Sequence, residues 1–470
     1  MMPPTLTRRA LLRSGAFVAA ASLLAACGAT PTPAPQATQA PAEATTAAEP
    51  TIAPTKAAAA VASIEVWMSN WGETYNKPMV LMGEQFTEAT GIKTNWSFND
   101  DWQEKLLTAV AAGIPPDCTY TNYVGLPTLA FQGTMLPLDD YYAASDIKRE
   151  DFIKAMMDAT IWEGKSYGIP GGADFLAYIF NKQVYRDAGL DPEQPPKTLD
   201  EWVAHSEKIY QFDSNGNVTR MGMSPTEPGI VYAGFLFDGV FYDDSARKVT
   251  CNQGGVVKAL EWMAELAKKW PVEKVAAFTE GMPDYAAASN SGFATGKQAY
   301  MFNGFWAYQG LDLYAPDLDY GMFFLPTLNG TEAERKNYVV QGWDYSIPKG
   351  SKQLDAAWQF LKYAFYDHAW EMSVKSINGN CVLAQMKQFE EGVVSAIGKD
   401  NRMAPLFHIF SETGAAGEKF WPVMPVASRY SDEVNRAQDF ATRGERTAQE
   451  ALDEAAKVTQ DELDKALKGA

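Results

Sequence analysis

The chain has 470 residues and a formal charge of −18, so it lacks the basic clusters that hold nucleic acid or an anionic lipid surface. Beyond Cys27 only Cys118, Cys251 and Cys381 remain; three thiols exclude a disulfide framework and leave a single bridge open. His205, His368 and His408 are scattered without ligand spacing, so neither a metal nor another cofactor is expected.

Residues 1–27 read as an export signal. Arg8, Arg9 and Arg13 precede an apolar run from Ala16 to Ala26 that is too short to span a bilayer. The Arg8-Arg9 pair resembles a twin-arginine signal, although a Sec signal also begins basic. Leu24-Ala25-Ala26-Cys27 resembles a bacterial lipobox, which would make an acylated Cys27 the first mature residue. Cleavage there removes three arginines and no acid, taking the charge from −18 to −21. Residues 28–62 are rich in Pro, Thr and Ala, cannot bury enough surface to fold, and read as a spacer. The body therefore begins at Ser63 and works outside the cytoplasm. Its roughly four hundred residues suit two lobes better than one core.

Along the body, SIEVW (63–67) alternates as a first strand. After a loop, NWGETYNKPM, the run VLMGEQFTEATGI has helical spacing and Gly91 as its stop. A strand at 93–98, a helix at 101–112 and a strand CTYTN (118–122) complete an α/β pattern with a largely parallel sheet. The stretch IWEGKSYGIPGGADFLAYIFNKQVYRDAGL holds two short strands and a helix start, and Gly229–Phe241, broken by Asp238, reads as a buried helix or strand pair. Helical patterns recur at 199–210, 256–269, 355–366 and 446–467.

Several pieces, in order, carry a resemblance: FTEATGIKTNW, AAGIPPDCTYTN, YGIPGGADFLAYIFNK, FATGKQAYMFNGFWAY, LDYGMFFLP, YSIPKGSKQLDAAWQFLKYAF and TAQEALDEAAKVTQDELDKAL. Together they resemble the extracellular solute-binding proteins of ABC importers, the sugar-binding group that includes maltose-binding protein. The resemblance implies a two-lobed, periplasmic-binding-protein-like α/β fold (type II) with a ligand cleft between lobes. One lobe would take 63–173 plus 345–395 and the other 175–344 plus 396–470. It also implies a carbohydrate ligand, a membrane permease as partner, and no catalysis.

Open α/β sheets bind ligands beyond the carboxyl ends of their strands. That rule selects Asn70 and Trp71 after the first strand, Asp100, Asp101 and Trp102 after the second, and Thr121 and Asn122 after the third. Rings for a sugar's C–H face and short polar groups for its hydroxyls suit such a ligand. The resemblance adds Asp174 at a lobe crossing, Trp306 as an aromatic platform, the Gly342-Trp343-Asp344 turn at another crossing, and Arg429 beside Tyr430. The strand CTYTN is more polar than the family's usual pattern, which bears on which sugar is held.

Gly164-Lys165-Ser166 lacks the upstream glycine of a phosphate loop, Ala159 standing in its place, and reads as a β-turn. Asp213 to Asn217 has its glycine too early for a calcium loop and also reads as a turn. Two other functions stay open: a polyamine or peptide binder in the same fold, with Asp100, Asp101, Asp174 and Asp344 as the acids, or a secreted glycoside hydrolase with two carboxylates.

Overall fold

In a computed structural model, residues 63–122, 124–283, 288–376 and 378–468 are described, excepting the side chains of Thr74 and Tyr75. The export signal, Cys27 and the spacer to 62 lie outside the described residues.

Strand β1 (Ser63–Ser69) buries Ile64, Val66 and Met68 on one face, the period-two pattern of a half-buried strand. Helix α1 (Glu73–Thr90) lays Met79, Met82 and Phe86 on that core and ends at Gly91, whose φ of 78° needs no Cβ to clear. The helix starts well before the expected position, taking in most of the segment read as a loop despite Pro78. Then come β2 (Lys93–Asn99), α2 (Trp102–Ala111), β3 (Cys118–Asn122) and α3 (Gly125–Phe131).

The stretch from Ile161 holds four strands, not two: β4 (Ile161–Trp162), β5 (Lys165–Ser166), β6 (Ile169–Asp174) and β7 (Leu176–Asn181). The β4–β5 turn is Glu163-Gly164, both at positive φ, so the lysine-containing GKS segment is the hairpin it was read as. Further on lie α4 (Leu199–Ile209), the buried α5 (Ile230–Leu236), α6 (Gly254–Lys269), β8 (Tyr300–Gly304), α7 (Ala307–Tyr314) and β9 (Tyr320–Phe323). The chain ends through β10 (Gln341–Ser346), α8 (Leu354–Lys362), α9 (Phe407–Ala416), α10 (Ala427–Thr442) and α11 (Ala448–Lys468).

Two main sheets result. The five-stranded sheet has the order β2-β1-β3-β10-β6, with β1 parallel to β2 and β3 and β10 antiparallel to both its neighbours. The three-stranded sheet is antiparallel with β7 between β8 and β9. The chain passes from one sheet to the other at Phe175. A Cβ on Gly414 would meet the Phe175 ring at 2.0 Å and one on Gly379 at 2.8 Å, so two glycines leave the room that locks this crossing. The Gly342-Trp343-Asp344 segment is strand, not turn, and joins the first sheet from Gln341, earlier than the expected boundary at 345.

Candidate functional site

At the carboxyl end of β1, two asparagines clip the chain. Asn70 Oδ1 accepts from the Gly72 N–H at 3.2 Å and from Asn76 Nδ2 at 2.9 Å, and Asn76 Oδ1 accepts from the Trp71 N–H at 3.2 Å. Gly72, at φ 83°, makes the corner. The clip holds Trp71 half-buried, its ring edge-on to Tyr120 at 5.1 Å and to Trp343 at 5.0 Å. Backed by two rings and partly open to solvent, Trp71 is a fixed apolar surface of the kind a sugar ring packs on.

Across the sheet, β6 ends at Asp174, which stands opposite Gln341 on β10. Gln341 Nε2 donates to Asp174 Oδ2 at 3.3 Å, and Trp421 Nε1 donates to Gln341 Oε1 at 3.3 Å. Burial pushes the Asp174 carboxyl up to about 7, with the Gln341 amide pulling the other way. Trp306 enters from the second sheet. Gly304, paired with Leu176, carries the Trp306 ring over its bare Cα; a Cβ there would meet the ring at 2.2 Å. The ring is half-buried at the start of α7, next to the buried Phe305. Trp71 and Asp174 thus close the mouth of the first sheet, and Trp306 sits beside the crossing from Asp174 to β7.

Other expected residues are placed differently. Trp343 is 8% exposed; it stands between Gly172 and Asn122 and backs Trp71 rather than offering a platform. Asp344 is 0% exposed and neither carboxylate oxygen has a hydrogen-bond partner, so it meets core, not solute; burial raises it well above the usual carboxylate range. Thr121 is fully buried, and its hydroxyl donates to the Asp344 carbonyl at 3.2 Å. Gly342 is a close-packing position, since a Cβ would come within 2.0 Å of the Gly172 carbonyl oxygen. Asn122, half-buried, accepts from the Gly125 N–H at 2.7 Å and opens α3. Asp101 is exposed and paired with Lys105 at 2.8 Å, which holds its carboxyl below the usual range. Arg429 is exposed on α10 and paired with Glu433 at 2.7 Å.

Gln341 and Trp421 were not singled out by sequence, nor was Glu227. Glu227 lies by the buried Tyr178, whose ring stacks with Phe323 at 5.4 Å, and burial pushes the Glu227 carboxyl up to about 7 against the Tyr178 phenol and the Ser224 backbone. In sequence, Glu227-Pro228-Gly229 carries only a turn signal. Among the described residues no group of three or more His, Cys, Asp or Glu could hold a metal, and no helix is long and apolar enough to cross a membrane. Cys118, Cys251 and Cys381 are buried and free.

Comparison with known proteins adds context. Residues 82–373 match the model of the bacterial extracellular solute-binding proteins. A maltotriose-binding protein of Pyrococcus abyssi is 25% identical over 265 residues, 56% of this chain and 53% of that protein, so the chain spans little more than half of that relative's length. A maltooligosaccharide ABC transporter solute-binding lipoprotein of Streptococcus pneumoniae is 24% identical over 305 residues, 62% of this chain and 66% of its own. The sugar-binding protein MalE of Xanthomonas citri superposes with a TM-score of 0.68 at 20% identity, over 86% of this chain and 98% of that one. That likeness gives the described body its two-lobed periplasmic-binding-protein fold.

Proposed function

The chain belongs to the bacterial extracellular solute-binding protein family, and we propose that it captures an oligosaccharide between its lobes outside the cytoplasm and passes it to the membrane permease of an ABC importer, tethered by a lipid on Cys27. The observation that carries the sugar reading is the mouth of the five-stranded sheet. There a half-exposed, ring-backed Trp71 stands on the same rim as a hydrogen-bonded carboxyl, Asp174. A flat apolar face beside a hydroxyl-seeking acid matches the two surfaces of a pyranose. The names of the maltotriose- and maltooligosaccharide-binding relatives point the same way. Closure of the lobes on the solute would select the state the permease recognises.

The acids weigh against a polyamine. Of the four considered, Asp344 is sealed in the core and Asp101 is already paired with Lys105, which leaves too little free negative charge for a polycation. Asp174 and Glu227, both pushed up to about 7, have the protonation a glycoside hydrolase would want of its acid. Yet Glu227 acts on the Tyr178 phenol of the second sheet, whereas Asp174 is bonded to Gln341 of the first, so the two acids are held by different partners in different sheets.

A thermal-shift series with maltotriose, mannotriose, spermidine and a tripeptide tests the assignment. An oligosaccharide at a hundred times its Kd stabilises the fold by ~2.7 kcal/mol, and the others leave the melting temperature unchanged. A shift with spermidine alone refutes the sugar reading. Recovery of cleaved sugar from the mixture refutes the binding role.

A further inference from the structure

We propose that Gln341 is a positioning residue: its amide, oriented by Trp421, fixes Asp174 as a hydrogen-bond acceptor for solute hydroxyls. The inference rests on the reading of Asp174 as a solute contact and extends it to two residues that no strand-end rule selects. The chemistry of the three groups fixes the direction of the chain. An indole N–H only donates, so Trp421 Nε1 requires the oxygen of the Gln341 amide, and the two meet at 3.3 Å. The amide nitrogen is thereby turned toward Asp174 Oδ2, also at 3.3 Å. Reversing the amide would set N–H against N–H and oxygen against oxygen. Among the described residues this is the only side-chain hydrogen bond Asp174 makes, so the amide favours its carboxylate form and leaves the second oxygen for a ligand.

The backbone holds the chain of three in place. Val340 N–H donates to the Lys419 carbonyl at 2.9 Å, which lays the segment before α10 alongside the entry to β10 and brings Trp421 against Gln341. Trp421 packs against both the core of the first sheet and the core of the helices α5, α6, α10 and α11. Asp174 is therefore tied to a residue that reports on both bodies of packed side chains. Beside burial, the Gln341 amide is the one group that moves this acid; Asp174 in turn adds to the rise of the Cys381 thiol, which burial and Asp344 lift first, and among the described residues no cation pairs with Asp174. The Gln341 amide is thus the principal polar control on whether Asp174 is charged.

The test uses the full chain without ligand and with maltotriose. The ionisation of Asp174 is followed by carboxyl-carbon NMR from pH 5 to 9, and maltotriose affinity is measured by calorimetry over the same range. Wild-type affinity rises as pH passes through the Asp174 midpoint, because the charged acceptor binds hydroxyls better. In Gln341→Leu both midpoints move up by ~0.5–1 pH unit, the loss of one bond to a charged group. Affinity at pH 7 then falls ~2–5-fold and recovers at pH 9. Gln341→Glu moves the midpoint further, through repulsion. Trp421→Phe, which keeps the ring and loses the N–H, moves it the same way by less. Asp174→Asn removes the pH dependence. An NMR midpoint that stays put in Gln341→Leu overturns the positioning role whatever the sugar does. A midpoint that moves while Asp174→Asn binds maltotriose like the wild type overturns the reading of Asp174 instead.

Discussion

The mouth of the five-stranded sheet and the interior just behind it are built from the same residue types, to opposite ends. At the mouth, Trp71 and Asp174 are half-buried and reachable, and Gln341 bonds across the last paired position. Two and three residues further along β10, Trp343 and Asp344 are closed off at 8% and 0% exposure. Strand alternation separates the two neighbours. Tyr345 goes to one face, stacked on Phe365 at 4.2 Å, while Asp344 goes to the other face with its register partner Thr121. On these strands a tryptophan or an acid stays open to solvent only at or past the last paired position; further in, the same side chain belongs to the core.

Tryptophan substitutions give the largest expected effects. Trp343→Ala should cost ~3–5 kcal/mol of stability in urea unfolding, because it removes a buried ring that Trp71 and the bare Cα of Gly172 pack against. Trp71→Ala and Trp306→Ala should instead spare most stability and weaken oligosaccharide binding by ~1–3 kcal/mol each, the loss of an anchoring ring. If Trp343→Ala loses binding while its unfolding midpoint holds, the division between mouth and interior is misplaced.

Asp344 sharpens the division through pH. Burial raises its folded pKa, while the unfolded chain titrates near the ordinary ~3.9. Below that value both states carry the proton. As pH rises above it the unfolded state ionises first, so stability falls until the folded pKa is passed. Asp344→Asn should abolish this decline, giving a variant whose stability relative to wild type improves from pH 4 to pH 8 in parallel denaturation curves. Equal slopes for the two proteins would mean that Asp344 is charged and solvated after all, and that the interior is open.

The sequence made some of this readable and hid the rest. The alternation in SIEVW, the stop at Gly91 and the strand CTYTN were visible because burial on one face writes its period directly into the chain. Trp71 was selected from the end of β1 and Asp174 from a resemblance whose pieces kept their order, and the structure leaves both partly exposed at the edge of the first sheet. Thr121 was misassigned because nearness to a strand end says nothing of which face a side chain takes, and Asp344 because the resemblance read the strand β10 as a turn around Gly342. The bare glycine there serves the close approach to Gly172. Gln341 and Trp421 were invisible for another reason: their contact joins positions 80 residues apart, and neither residue type marks a site unless its partner is known.

Arg429 carries the smallest expected effect, and its size separates a ligand contact from a surface pair. Its guanidinium meets Glu433, which is 2% exposed and is also held by Arg436 one turn along α10. Removing Arg429 leaves the buried carboxylate with Arg436, so the cost is that of a half-exposed ion pair, ~0–1 kcal/mol, and shrinks further in salt. Oligosaccharide affinity in Arg429→Ala should stay within about twofold of wild type, since a cation already paired offers little to a neutral hydroxyl. A tenfold loss with unchanged stability would put α10 in the proposed site and extend it beyond Trp71 and Asp174 on the rim of the first sheet and Trp306 beside the crossing.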